Sequence, residues 1–153
     1  MRDRSSRTNS YSVDVVLVTA TRNELAVLLT RSSSDRERWA LPWRLPQAAE
    51  TFEESANRAA RDALGEPPAW LEQIGAFGDG KRHPSDGDIS VAYVALVPHE
   101  TASPHAGYAW FQISDLPPLS PRQRAMVDGA MRNVQERLDQ APIAFRLLPS
   151  TFT

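Results

Sequence analysis

The stretch Trp39–Gly65, WALPWRLPQAAETFEESANRAARDALG, decides the fold of this 153-residue chain. Its second half predicts a helix over 51–64, because Thr51 can cap the amide of Glu54 and the Glu54 side chain can reach back. Gly65, with a proline two residues later, predicts the end of that helix. Apolar residues recur at helical spacing along one side, at Phe52, Ala56, Ala59, Ala60 and Ala63. Because this side consists mainly of alanine, the helix can lie close to a sheet.

Strand patterns precede and follow this helix. Two segments rich in β-branched residues and leucine, Val13–Ala20 and Glu24–Arg31, are separated by a short turn and predict a hairpin. Further strands are predicted at Ile74–Asp79, Ile89–Val97 and Tyr108–Ile113. A second helix begins near Pro121 and has one apolar face, which consists of Val127, Met131, Val134 and Leu138. This order predicts an α+β fold in which a mixed β-sheet is sandwiched between helices.

The composition bounds the chemistry and the partners. With 17 basic and 19 acidic residues, the net charge of -2 does not favour nucleic acid or an anionic membrane as a partner. The absence of cysteine excludes disulfides, thiolate metal sites and a cysteine nucleophile. No apolar run approaches the roughly 20 residues of a membrane span, so we expect a cytoplasmic protein without a membrane partner. The polar residues 1–10 predict a disordered tail.

The register of the central stretch resembles the Nudix box, the loop-and-helix motif of hydrolases that cleave nucleoside diphosphates linked to another group. The chain keeps the residues of that motif at Leu41, Pro42, Glu50, Arg58 and Gly65. The resemblance implies the Nudix fold, in which a hairpin precedes the motif and strands follow it.

The chain departs from this motif where the chemistry would take place. The glycine of the motif falls on Arg44, and two of its three helix carboxylates fall on Ala59 and Ala63. Such hydrolases gather carboxylates around Mg²⁺, which requires close octahedral oxygen ligands. The remaining Glu50 and Asp62 could hold one hydrated Mg²⁺ weakly, and they leave no carboxylate for a general base. We therefore expect a catalytically weak or inactive domain that requires no cofactor, the alternative being an Mg²⁺-dependent hydrolase of a nucleoside diphosphate derivative.

The segment after the box is similar to a narrower group. Phe77–Pro98, FGDGKRHPSDGDISVAYVALVP, resembles the corresponding part of the Nudix-related transcriptional regulators of NAD metabolism. In those regulators a Nudix-like domain senses ADP-ribose or a related nucleotide, and a winged helix binds operator DNA. The resemblance implies a Nudix-like domain at 11–140, a junction at 141–153, and DNA binding only through a winged helix beyond Thr153. It also implies a homodimer, in which the apolar run around Phe145 is expected to be buried.

The candidate ligand contacts combine cations with aromatic rings. Arg44 can supply a fixed charge in place of a metal because guanidinium binds phosphate bidentately; the alternative is an exposed loop arginine. Trp39 and Trp43 can stack on an adenine, although a tryptophan beside a strand also suits a core. The remaining candidates are Arg31, Arg58, Phe77, Asp79 and Arg82.

Two groups of charged residues have simpler interpretations. Glu54, Arg58 and Asp62 follow one another at intervals of four and also fit an ordinary solvated helix face. A run of acidic residues with one histidine lies among glycine and proline, which predicts a flexible loop tip rather than a metal site; it comprises Asp79, His83, Asp86 and Asp88.

Overall fold

The computed structural model describes residues 11–21, 24–31, 38–68, 70–78, 81–85, 87–98 and 103–138. The strands are β1 (Tyr11–Ala20), β2 (Leu25–Arg31), β3 (Trp39–Ala40), β4 (Trp43–Arg44), β5 (Leu71–Phe77), β6 (Ile89–Leu96) and β7 (Tyr108–Gln112). The helices are α1 (Phe52–Leu64) and α2 (Pro121–Leu138), and a short 3-10 helix covers Ile113–Asp115. These elements confirm the α+β fold predicted from the sequence.

The strands form one mixed sheet in the order β3-β2-β1-β6-β5. β1 and β2 pair as the predicted antiparallel hairpin, whereas β1 and β6 run parallel over the whole length of β6. β4 pairs with the start of β1, where Asp14 lies opposite Trp43, and β7 pairs with β2. The short β4 is therefore fixed at one end of the central strand, and it carries the Trp-Arg pair of the box.

α1 covers one face of the sheet. Thr51 accepts the amide of Glu54 and the Glu54 side chain accepts the amide of Thr51, so the predicted capping box is present. Gly65 ends the helix in the left-handed conformation at φ 88°, which favours glycine. The four alanines of the predicted apolar side are fully buried, but Phe52 is 39% exposed and packs edge-on against Tyr11. The small side chains thus allow the close approach that the sequence predicts.

α2 covers the opposite face. Val127 and Val134 of its predicted apolar stripe are fully buried, together with Met126 and Ala130, against the alternate residues of β1, β2 and β6. Met131 packs at the edge of this cluster. The sheet therefore lies between two helices, as predicted for the sandwich.

Several boundaries differ from the predicted ones, and some predictions fall on residues that the structure does not describe. β5 begins at Leu71, three residues before the predicted start, and Ile113 belongs to the 3-10 helix instead of β7. Residues 1–10, Asp79 and 139–153, which include Phe145, lie outside the described residues, as does the side chain of Leu138. Among the described helices, none is long and apolar enough to cross a membrane.

Candidate functional site

A cavity of about 390 Å³ lies where four strands meet α1. It is lined by Thr30, Arg31, Ala40, Trp43, Arg44, Leu45, Arg58 and Tyr108, which come from β2, β3, β4, α1, β7 and the loop after β4. Three of these side chains are arginines and two are aromatic. A second cavity of about 690 Å³ shares Leu45 and is lined by Tyr11 and the loop residues 46–50. The first cavity combines positive charge with flat apolar surfaces, which suits an anion that carries a planar ring.

Arg44 reaches from β4 to the last turn of α1. Its Nε and Nη2 both donate to Oδ2 of Asp62, at 3.1 and 2.5 Å, and its Nη1 donates to the carbonyl oxygen of Trp43 at 2.7 Å. The Arg44 and Asp62 side chains remain 29% and 46% exposed, so water screens this ion pair in part. The predicted phosphate-binding arginine and the predicted metal-binding aspartate are therefore partners of each other.

Glu50 fastens the loop before α1 to the helix. Its carboxylate accepts hydrogen bonds from Nε and Nη2 of Arg58 at 2.9 and 3.0 Å, from the Ser55 hydroxyl at 2.6 Å and from the Gln47 amide at 2.8 Å. Arg58 also donates to the carbonyl oxygen of Leu45 at 3.1 Å. These donors, Arg58 first, lower the pKa of Glu50 from 4.5 to about 2. The loop that lines both cavities is consequently tied to α1 by an ionised carboxylate.

The donors present here do not fit the Mg²⁺ ion that the Nudix resemblance implies. Within the described ranges, no three histidine or carboxylate side chains lie close enough together to hold a metal ion. Glu50 and Asp62 are each paired with an arginine, so a divalent cation at either carboxylate would lie close to an existing positive charge. The two carboxylates fit arginine partners better than a metal ion.

Three other predicted ligand residues, Trp39, Phe77 and Arg82, lie outside the lining of this cavity. Trp39 packs edge-on against Phe111 within the core cluster under α2, and the Arg31 guanidinium lies over its ring at 4.7 Å. Phe77 packs against the same cluster. Arg82 is exposed, and its carbonyl oxygen accepts the amide of Arg122. Of the predicted ligand residues, the cavity brings together Arg31, Trp43, Arg44 and Arg58.

Of the predicted loop tip, Asp86 lies outside the described residues, and the segment 81–85 is a loop that contains a buried histidine. His83 is buried, and its Nε2 lies 2.5 Å from Oδ2 of Asp14. The amide of Ser85 donates to Nδ1 at 2.9 Å, so the ring proton lies on Nε2 and is donated to Asp14. Asp14 also accepts the Ser12 hydroxyl at 2.6 Å and the Gln123 amide nitrogen at 2.8 Å. The histidine is thus part of a satisfied buried network between β1 and α2.

This network supports the strand that carries the cavity residues. Gln123 accepts the amide of Leu41 through Oε1 at 2.9 Å, and the His83 ring packs edge-on against Trp43 at 5.4 Å. The sequence contained one signal of it, since Asp14 interrupts a strand that is otherwise apolar, and a buried carboxylate requires partners. The network therefore helps to fix the position of Trp43 through the His83 ring.

His105, to which the sequence assigns no role, forms hydrogen bonds with the last turn of α1. Its ring Nδ1 lies 3.0 Å from the carbonyl oxygen of Asp62, and its amide donates to the carbonyl oxygen of Ala63 at 2.8 Å. The same loop supplies the Gly107 carbonyl oxygen that accepts the Arg31 amide. One loop therefore connects the last turn of α1, which bears Asp62, with the end of β2 at the cavity.

The chain and its fold were compared with known proteins. A family model described as NUDIX domain matches residues 8–130. No curated protein matches the chain. The mutT/nudix family protein from Listeria innocua superposes with a TM-score of 0.71 at 25% identity, over 86% of this chain and 97% of that chain.

Two structures from Shewanella oneidensis share the fold at lower identity. The NUDIX domain of NrtR in complex with ADP ribose matches with a TM-score of 0.71 and 21% identity, over 87% of this chain and 94% of that chain. NrtR in complex with a 27mer DNA matches with a TM-score of 0.72 and 22% identity, over 84% of this chain. This chain covers 63% of the length of that NrtR chain.

Proposed function

This chain belongs to the NUDIX domain family, and we propose that it binds ADP-ribose or a related nucleotide as a sensor and hydrolyses the nucleotide weakly or not at all. The observation that carries the proposal is the cavity, whose lining includes three arginines and two aromatic residues: Arg31, Arg44, Arg58, Trp43 and Tyr108. Guanidinium groups suit the diphosphate of such a ligand, and aromatic rings suit its base.

The electrostatics of the site support binding over hydrolysis. Hydrolysis of a diphosphate needs a cation that withdraws charge and a base that activates water. The two remaining box carboxylates, Glu50 and Asp62, are both engaged with arginine. An arginine-lined cavity can hold the anion, whereas each of the two carboxylates already has a positively charged partner.

The sensor would be one part of a larger regulator. We propose a Nudix-like domain at 11–140, followed by a junction at 141–153 that leads to a winged helix, and DNA binding through that winged helix alone. A DNA-binding regulator is supported by the structural relative NrtR, which was solved in complex with a 27mer DNA. We further propose a cytoplasmic homodimer, because a two-fold DNA reader needs two sensor domains. Light scattering that gives a monomer mass at micromolar concentrations would refute the dimer.

Calorimetric titration with ADP-ribose in the presence of a chelator tests the proposal. We expect saturable binding, and we expect Trp43→Ala to weaken it by about fivefold or more, because stacking on a base contributes about 1–3 kcal/mol. Trp70→Ala is the matched control, since Trp70 packs in the α2-side cluster beneath Arg137 and does not line the cavity. The absence of binding by folded protein at millimolar ADP-ribose, both with chelator and with Mg²⁺, would contradict the proposal.

The alternative is a Mg²⁺-dependent hydrolase of a nucleoside diphosphate derivative, and the retention of Glu50 and Asp62 favours it. It predicts steady release of AMP from ADP-ribose, which a chelator and Asp62→Ala both abolish. We expect no such release from the wild-type protein. Release that persists through repeated turnovers and disappears with Asp62→Ala would establish the hydrolase instead.

A further inference from the structure

Arg44 occupies the position of the Nudix box where the family motif has glycine. Its guanidinium lies against Asp62, which is the carboxylate of α1 that the Nudix resemblance assigns to a metal ion. A guanidinium group carries one positive charge permanently and does not depend on the concentration of a metal in solution. The structure therefore contains a fixed cation at the carboxylate where a divalent ion was expected.

We propose that the guanidinium of Arg44 takes the place of a divalent cation at Asp62, so that the cavity binds a phosphate or diphosphate anion without a metal ion. The inference rests on the proposed function only in that it requires an anionic ligand; it does not depend on which nucleotide carries the phosphate.

The hydrogen bonds of Arg44 leave donors on both terminal nitrogens, which form the outer edge of the guanidinium. Of its five N–H groups, the one on Nε and one on Nη2 donate to Asp62, and one on Nη1 donates to the Trp43 carbonyl oxygen. One N–H therefore remains on each terminal nitrogen. Two donors on one planar group can match two oxygens of a phosphate.

Asp62 and the Trp43 carbonyl oxygen fix the direction of that edge. Both contacts arise from the backbone course of β4 and the last turn of α1, and they use donors that lysine does not have. A lysine ammonium has three donors on one atom, so it cannot hold Asp62 and also present two parallel N–H groups. Arg44→Lys therefore preserves the positive charge but removes the planar arrangement of N–H donors.

The positive charge of Arg44 also opposes a metal ion at Asp62. A divalent cation at this carboxylate would lie beside Arg44, and Arg58 lines the same cavity. Removal of the Arg44 charge should release Asp62 for a divalent ion. The proposal thus predicts opposite changes in anion affinity and metal affinity from one substitution.

The first experiment uses the wild-type protein and needs no variant. ADP-ribose is titrated calorimetrically once with chelator and once with millimolar Mg²⁺, and we expect dissociation constants that agree within about twofold. Inorganic pyrophosphate, titrated in the presence of chelator, measures the affinity for the diphosphate anion without the rest of the nucleotide. Binding of ADP-ribose that requires Mg²⁺ would overturn this inference while the sensor proposal stands.

The second experiment compares two arginines that are each paired with an aspartate. Arg44→Lys should weaken binding of both probes by about tenfold or more, because charge-assisted bidentate hydrogen bonds are lost. Arg124→Lys is the matched control, since Arg124 pairs with Asp128 on the exposed surface of α2 at 3.4 Å and should leave both affinities unchanged. Equal affinities for wild type and Arg44→Lys would overturn the inference.

The third experiment measures the metal alone. Mn²⁺ binding to Arg44→Gln should be tighter than to wild type by about fivefold, as expected for the release of a partly exposed ion pair. Equal Mn²⁺ affinities would show that Arg44 does not exclude the metal and would contradict the inference.

The outcomes separate this inference from the proposed function. Pyrophosphate binding that depends on Arg44, without ADP-ribose binding, would support this inference and contradict the proposal that the ligand is ADP-ribose. If folded protein binds neither anion, both are wrong.

Discussion

Glu50 shows how one carboxylate fixes the loop that lines the cavities. Hydrogen bonds from Arg58, Ser55 and the Gln47 amide stabilise its ionised form and lower its pKa from 4.5 to about 2. A group whose pKa is lower in the folded state than in the unfolded state contributes stability at a pH above the unfolded value. That contribution is lost as the pH falls from about 4.5 toward 2.

We expect Glu50→Gln to lower the free energy of unfolding by about 1–2 kcal/mol at neutral pH, because a partly exposed set of charge-assisted hydrogen bonds is lost. The difference from wild type should shrink as the pH falls from 4.5 toward 2, where wild-type Glu50 also becomes protonated. Urea denaturation at a series of pH values measures it.

Arg58→Gln provides the control background for this prediction. The Arg58→Gln variant lacks the main cause of the lowered Glu50 pKa. In that variant, Glu50→Gln should change the free energy of unfolding less, and the change should depend less on pH. A difference between wild type and Glu50→Gln that stays constant across the acidic range would contradict the assignment.

Arg44 marks what sequence can and cannot predict for a single residue. The sequence shows the replacement of glycine by arginine in the box, and so predicts a fixed cation. It does not show that the guanidinium turns toward Asp62, because this contact depends on how β4 pairs with β1 beside the end of α1.

At the scale of elements, α1 was predictable because its signals are local. The capping box, the alanine side and Gly65 all lie within the helix or next to it, and each acts in the structure as predicted. The segment 81–85 was not predictable in the same way. Its glycine and proline neighbours indicate a loop, but the partner of His83 is Asp14, which lies 69 positions earlier.

We expect His83→Ala to lower the free energy of unfolding by about 2–4 kcal/mol, because it leaves the buried Asp14 without its closest partner. His105→Ala is the matched control: this exposed histidine donates to the carbonyl oxygen of Asp62 and not to a buried carboxylate, so its loss should cost about 1 kcal/mol or less. Chemical denaturation of both variants measures the difference. A His83→Ala variant as stable as His105→Ala would show that the network does not hold the segment.

At the scale of the whole molecule, alternation and turn signals predicted the layers but not the strand order. The hairpin of β1 and β2 follows from adjacent segments, whereas the parallel pairing of β1 with β6 joins Tyr11 to Ile89 across about half of the chain. The cavity forms only once β2, β4, α1 and β7 are brought together by this sheet. Thr30 and Tyr108 were therefore missed, since neither belongs to the box and neither has a distinctive neighbour in sequence.

The central claim is that this cavity holds a nucleotide diphosphate and leaves it intact. Its residues supply cations and rings, while both remaining box carboxylates are bound to arginine. The proposed sensor needs a ligand that stays intact when it is bound, because a hydrolysed ligand cannot report its own concentration.

Phosphorus NMR of ADP-ribose mixed with the protein in Mg²⁺-containing buffer tests this claim most directly, since one spectrum reports both binding and cleavage. We predict that the two diphosphate resonances broaden or shift as protein is added, and that no phosphomonoester resonance grows over prolonged incubation. Unchanged diphosphate resonances, or the steady appearance of phosphomonoester, would contradict it.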